Sequence, residues 1–167
     1  MFAMGAYTPL DGFMGEADWR GCCTDMKLAD GTFWPIPITL SASREIADNI
    51  NVGQDVALTD GETGDIMGVL TVSEKYTIDQ KLECTSVFRT DDAAHPGVQK
   101  VMEQGEINLA GKVAALSEGH FPTTYEGLYM RPAETRALFT EKGWSKVAAF
   151  QTRNPMHRSH EFLAKIA

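Results

Sequence analysis

The spacing of apolar residues changes after Met130, and this change limits the fold more than any other feature of the sequence. Up to that point, short alternating apolar runs are separated by turns with glycine and proline, as is typical of β-strands. Residues 131–139 then show helical spacing, with Gly143 after their end. A strand at 146–150 and a helix at 160–166 complete the pattern. The chain is therefore predicted to combine a β-rich, barrel-like domain with the start of an α/β unit containing a parallel sheet.

Within the β-rich part, the clearest prediction is a hairpin of residues 55–59 and 66–72, because the loop between them contains glycine. Residues 32–40 alternate like a strand, but their two prolines predict an edge strand or an irregular one. The remaining elements expected are a short helix with an extended piece within 79–88, a short helix at 98–103 and a strand at 113–116.

The net charge also differs between the residues before and after the change at Met130. Residues 131–167 hold seven Lys or Arg and three Asp or Glu, which gives +4 and leaves −12 for residues 1–130 out of a net −8. The asymmetry suggests two units with different roles, although uneven charge for solubility explains it equally well. An acidic unit repels nucleic acids, so we expect no nucleic-acid partner, whereas a basic unit attracts small anions.

Cysteine usage and hydropathy indicate a cytoplasmic protein. Cys22, Cys23 and Cys84 are an odd number with no CxxC spacing, which makes a poor disulfide framework and suits a reducing compartment. No window has 18 uninterrupted apolar residues, so we expect no membrane span. The first 14 residues lack a basic leader, so we expect no signal peptide.

The segment from Gln151 to Glu161 gathers hydrogen-bond donors between the predicted strand and the last predicted helix. Asn154 is predicted to cap that helix, with Pro155 at its first position. The carboxyl end of a strand and the amino end of a helix are where α/β sheets bind ligands, and helix amino ends favour phosphate or sulfate. An anion site is therefore the preferred interpretation.

The side chains of this segment fit that interpretation. His157 and His160 share one face of the first helical turns, and Gln151 and Arg153 point to one side if strand geometry persists. The guanidinium of Arg153 can hold a tetrahedral oxyanion by two hydrogen bonds. A solvated arginine, structural histidines or a zinc site are the alternatives, although the metalloprotease pattern HExxH is absent and we predict no protein-held metal.

The same residues resemble a known family, the ATP sulfurylases (sulfate adenylyltransferases). The sequence QTRNPMHRSHE at 151–161 is similar to the family signature, and its HxxH portion is similar to the HxGH motif of nucleotidyltransferases. Three other stretches also resemble the family: GAYTPLDGFM at 5–14, LADGTFWPIPITL at 28–40 and HPGV at 95–98. The resemblance therefore extends along the whole chain.

The resemblance implies a PUA-like domain at residues 1–130 and the beginning of a Rossmann-like adenylyltransferase domain at 131–167. It implies transfer of AMP from ATP to sulfate, which gives adenosine 5′-phosphosulfate and pyrophosphate, or the reverse reaction, with Mg²⁺ as cofactor. It also implies a homo-oligomer for the full-length form. Roles are implied for six residues: catalysis for Thr152, Arg153 and Asn154, sulfate binding for Gln151 and Arg153, and ATP binding for Gln151, Asn154, His157 and His160.

The resemblance leads to one expectation about the activity of this chain and leaves three alternative functions open. Family members are longer, and a second nucleotide-binding loop is not encoded here, so we expect this chain alone not to turn over ATP and sulfate. Ser159 stands where HxGH enzymes have glycine. The alternatives are the sulfurylase part of a bifunctional phosphoadenosine-phosphosulfate synthase, an adenylyltransferase with another acceptor and, against its acidic charge, a PUA-like RNA-binding module.

Overall fold

Five strands and seven α-helices form in the computed structural model, which describes residues 1–166 and divides the chain into two units between Phe121 and Pro122. The strands are β1 Gly12–Phe13, β2 Ser41–Ala42, β3 Asp55–Thr59, β4 Ile66–Thr77 and β5 Ile107–Ala115. The helices are α1 Glu16–Asp25, α2 Arg44–Asp48, α3 Gln80–Val87, α4 Pro96–Met102, α5 Phe121–Thr124, α6 Pro132–Glu141 and α7 Arg158–Ile166.

The first unit is built on one antiparallel sheet. The long strands β4 and β5 pair along most of their length, and β3 continues the sheet beyond β4 as the predicted hairpin. The two-residue strands β1 and β2 pair with different parts of the other edge of β5. The sheet is thus open: in the described part of the chain β3 and β1 are its two ends, so the barrel-like shape expected from sequence is not closed.

Proline explains why residues 32–40 form no strand. Pro35 and Pro37 have no N–H to donate to a ladder, and only Phe33 makes an isolated bridge, to Lys27. The strand predicted at residues 32–40 is therefore wrong, apart from this single bridge. The expected mixture at 79–88 is instead a single helix, α3, whose first turn is capped by Asp79 accepting from the N–H of Leu82 at 2.9 Å.

Two glycines allow close contacts between neighbouring strands, Gly12 between β1 and β5 and Gly111 between β5 and β4. A Cβ on Gly12 would lie 1.9 Å from the carbonyl oxygen of Gly111, and a Cβ on Gly111 would lie 2.0 Å from that of Thr71. Gly111 also has a φ of 147°, opposite the place where the β4–β5 register shifts. A side chain at Gly12 would force β1 away from β5, and one at Gly111 would force β5 away from β4.

The core of the first unit covers both faces of the sheet. Leu70, Val72 and Leu109 pack with α2 in one buried cluster. Trp19 of α1 and Tyr76 of β4 belong to a second cluster. Burial of these large apolar side chains supplies most of the free energy that holds α1 and α2 on the sheet.

A buried carboxyl group lies in the second cluster. Glu83 is 5% exposed, and its Oε2 accepts from the indole N–H of Trp19, itself 1% exposed, at 2.7 Å. Burial raises the pKa of Glu83 above its ordinary value of 4.5, while the Trp19 hydrogen bond opposes the rise. The folded state therefore favours the protonated carboxyl group.

This raised pKa predicts a pH-dependent stability. We compare the free energy of unfolding of the wild-type chain with that of Glu83→Gln. The stabilising contribution of Glu83 is fully present below pH 4.5 and is lost as the pH rises from 4.5 through the folded-state pKa. Urea unfolding of both proteins across this pH range measures the difference. Glu45→Gln, which alters an exposed carboxylate, serves as the control and should show no such trend. A wild-type advantage that grows with pH would contradict the prediction.

The three cysteines are free and buried. Burial raises the pKa of Cys22 to about 11 and that of Cys23 to about 12, so both remain thiols at neutral pH. Protonated, enclosed thiols are weak nucleophiles, which fits a structural role. In residues 1–166, no helix has both the length and the apolar character needed to cross a membrane.

The second unit, from residue 122, contains the predicted helix α6. The backbone N–H of Arg131 donates to Oε2 of Glu134 at 2.6 Å at its start, and Gly143, with a φ of 66°, follows its end. The strand predicted at 146–150 is wrong: these residues have no regular structure. A strand needs a hydrogen-bonded neighbour, and none is present among residues 122–166.

Candidate anion-binding site

The donor-rich segment lies at the amino end of α7 and is open to solvent. From Gln151 to Glu161 every residue is exposed except Thr152 and His160, which are half-buried. No residue of 122–166 is fully buried, so this unit lacks an enclosed apolar core in the part of the chain that is described. The polar groups of the segment are therefore accessible to a dissolved anion.

Thr152 holds the turn that precedes the helix. Its hydroxyl accepts a hydrogen bond from the N–H of Asn154 at 3.0 Å and lies 3.3 Å from the carbonyl oxygen of the same residue, to which it donates. A side chain used in this way replaces a backbone turn and fixes the path of residues 152–154. The turn leaves the side chains of Arg153 and Asn154 exposed.

The helix start predicted from Asn154 and Pro155 is three residues too early. Asn154 does not cap the helix, and Pro155 is outside it, because α7 begins at Arg158. His157 takes the capping position instead: its Nδ1 accepts from the N–H of Ser159 at 3.3 Å, and its own N–H donates to Nδ1 of His160 at 3.1 Å. Two imidazoles thus perform the reciprocal capping that Ser and Glu perform in a capping box.

Three side chains are brought together at this helix start. The rings of His157 and His160 are 6.4 Å apart at an angle of 84°, and Oγ of Ser159 is 3.1 Å from Nδ1 of His157. The ring of Phe150 lies 5.8 Å from that of His160. The contacts of Ser159 and Phe150 were not foreseen, because spacing alone does not show which side chains engage an imidazole.

Gln151 and Arg153 are not joined to this group. Neither side chain has a hydrogen bond or ion pair within residues 1–166, and both are exposed. The one carboxylate of the segment, Glu161, is engaged by Lys165 at 2.5 Å one helical turn away. An unpaired guanidinium in the segment leading to the positive end of a helix, with the carboxylate of that segment neutralised, favours binding of an anion.

The metal-ligating residue types do not gather at this site. Across residues 1–166, no three His, Cys, Asp or Glu side chains are grouped in a way that could hold a metal ion. The chemistry that the segment offers is hydrogen-bond donation from a guanidinium, imidazoles, amides and the first N–H groups of a helix.

Two known families match successive parts of the chain. A family described as PUA-like domain matches residues 1–118, and a family described as ATP-sulfurylase matches residues 126–167. Proteins named sulfate adenylyltransferase are similar along the whole chain, with 62% identity in Chlorobaculum tepidum and in Syntrophobacter fumaroxidans and 60% in Chlorobium chlorochromatii. The chain spans 41% of the length of each of these relatives.

A solved structure, described as a hexameric APS kinase from Thiobacillus denitrificans, has a similar fold. Its TM-score is 0.66 at 33% sequence identity, and the match covers 99% of this chain and 28% of that one. The matched region therefore includes residues of both units of the present chain.

Proposed function

This chain belongs to the PUA-like domain family through residues 1–118 and to the ATP-sulfurylase family through residues 126–167, and from this premise we propose that it is part of a sulfate adenylyltransferase. The enzyme transfers AMP from ATP to sulfate. The observation that carries the proposal is the exposed, unpaired guanidinium of Arg153, which precedes the histidine-capped start of α7 by a few residues in sequence. We place the domain boundary at residue 130, with the PUA-like domain before it and the catalytic domain after it.

The reaction calls for donors rather than a protein nucleophile. A sulfate oxygen attacks the α-phosphorus of ATP, a new sulfate–phosphorus bond forms, and the bond to the bridging oxygen breaks as pyrophosphate leaves. Sulfate is a weak nucleophile and both substrates are anionic, so the site must offset their repulsion and align the attacking oxygen. Arginine and neutral N–H donors do both without becoming covalently attached.

Six residues of the segment have proposed roles. Gln151 and Arg153 bind sulfate, the guanidinium through two parallel hydrogen bonds. Thr152 fixes the turn that presents Arg153 and Asn154, and Asn154 donates to the α-phosphate as its charge develops. His157 and His160, together with Gln151 and Asn154, contact the phosphates of ATP at the amino end of α7.

The remaining partners of the site are also proposals. We assign Mg²⁺ as the divalent metal, held mainly by the phosphate oxygens of ATP, as is common for this ion. Its charge would offset that of the pyrophosphate as it leaves. The full-length enzyme is proposed to be a homo-oligomer in the cytoplasm, where the free cysteines stay reduced.

A second candidate function is the sulfurylase part of a bifunctional protein that also contains an APS kinase. The observation that favours it is the solved structure described as an APS kinase, in which the match to this chain takes up only 28% of the other chain. A phosphate-binding GxxxxGK[ST] loop in the gene that encodes residues 1–167 would identify the bifunctional form.

A chimera tests the proposed function. Residues 1–167, purified alone, are expected to form no ATP from adenosine phosphosulfate and pyrophosphate. The same residues followed by the remaining length of the Chlorobaculum tepidum enzyme are expected to form it. Activity of residues 1–167 alone would refute the expectation that further nucleotide-binding residues are required. A folded chimera that stays inactive would refute the proposed function.

A further inference from the structure

Ser159 contacts the imidazole of His157 through both its backbone and its side chain. Its N–H donates to Nδ1 at 3.3 Å, and its Oγ lies 3.1 Å from the same nitrogen. An amide nitrogen can only donate, so Nδ1 of His157 accepts and carries no hydrogen. The hydroxyl of Ser159 therefore donates to Nδ1 as well, and in the neutral ring the hydrogen is on Nε2.

His160 is held in the same tautomer by a different donor. The backbone N–H of His157 donates to its Nδ1 at 3.1 Å, which again leaves the hydrogen on Nε2. Both rings thus present an Nε2–H donor. A phosphate oxygen can accept from such a group, whereas it would be repelled by the lone pair that the other tautomer presents at Nε2.

We propose that Ser159 is a positioning residue of the phosphate site, and that its backbone N–H and its hydroxyl together hold His157 in the Nε2–H tautomer. The identity of the anion rests on the proposed function, whereas the tautomer rests on the hydrogen bonds alone. The serine acts through His157 and is not assigned a contact with substrate. Where HxGH proteins have glycine, this chain adds a hydroxyl as a second donor to Nδ1 of its first histidine.

The test is a direct observation of the imidazole nitrogens. The ¹⁵N-labelled chain is compared with Ser159→Ala and Ser159→Thr by long-range ¹H–¹⁵N correlation at a pH of about 8, where histidines are ordinarily neutral. Wild type and Ser159→Thr are expected to keep the Nε2–H form of His157. In Ser159→Ala the ratio should shift about fivefold toward the Nδ1–H form, the effect of one lost hydrogen bond.

Two controls separate this role from a general effect on α7. His95 is an internal reference, because its Nδ1 accepts from the N–H groups of Gly97 and Val98 and its ratio should not change. Alanine favours a helix more than serine does, so Ser159→Ala should not unwind α7, and backbone chemical shifts of α7 check this directly.

Three outcomes would overturn the proposal. The first is a wild-type His157 with its hydrogen on Nδ1, and the second is an unchanged ratio in Ser159→Ala. The third is an equal shift in Ser159→Ala and Ser159→Thr, which would mean that the hydroxyl is not the cause. The spectra are recorded without nucleotide, so an inactive chimera would refute the proposed enzyme while leaving the tautomer assignment intact.

Discussion

Replacing Arg153 by alanine in the active chimera should lower kcat/KM for ATP synthesis about 10²- to 10³-fold, a loss on the order of 3 kcal/mol of transition-state stabilisation. The guanidinium is exposed and has no partner in the described part of the chain, so its removal should not disturb the fold. The fall in kcat/KM should therefore reflect only the lost contacts between the guanidinium and the bound anion. Initial rates with varied adenosine phosphosulfate and pyrophosphate measure it.

Two further variants sharpen this experiment. Arg136→Ala removes an equally exposed arginine from α6, outside the donor-rich segment, and should leave the rate nearly unchanged. Arg153→Lys keeps the charge but loses the planar pair of donors, so its rate should lie between wild type and Arg153→Ala. Near-normal activity of Arg153→Ala would mean that the sulfate assignment is wrong.

The second large effect is expected in the core of the first unit. Trp19→Ala should lower the free energy of unfolding by about 3–5 kcal/mol, because it opens a cavity at a fully buried site. It also removes the indole N–H that Glu83 accepts from, which leaves a buried carboxyl group without that partner. Urea unfolding followed by circular dichroism measures the change.

Two comparison variants separate the effect of the cavity from that of the lost hydrogen bond and provide a surface control. Trp19→Phe keeps most of the buried volume and lacks the hydrogen bond to Glu83, so it should cost about 1–3 kcal/mol. Trp144→Ala removes a half-exposed indole and should stay within about 0.5 kcal/mol of wild type. If Trp19→Ala were no less stable than Trp144→Ala, the indole of Trp19 would not be a main support of the core.

Local signals predicted some elements well. The hairpin of β3 and β4 follows from alternation and a glycine-bearing loop, and α6 follows from its spacing and Gly143. Both depend on residues close in sequence. The two-residue strands β1 and β2 could not be predicted, since they exist only because β5 offers them an edge. For the same reason, residues 146–150 form no strand without a neighbour.

The site was predicted by residue type but not by arrangement. The donors of residues 151–161 indicate an anion site on chemistry alone, and the close approach of His157 and His160 follows from their spacing. The start of α7 was misplaced because Asn154 and Pro155 are strong generic helix-start signals. Two imidazoles took over the capping, which no single-residue preference describes. The proposed roles of these residues remain predictions until the chimera is assayed.

The pairing of β1 with β5 also determines the order of folding during synthesis. β1 is made well before its partner strand, which is nearly the last element of the first unit. Joining them closes a long loop, whose entropy is lost before the contact is gained, so this step should come late and slowly. On the ribosome, the PLDGFM segment at 9–14 must therefore remain without its partner strand until β5 emerges.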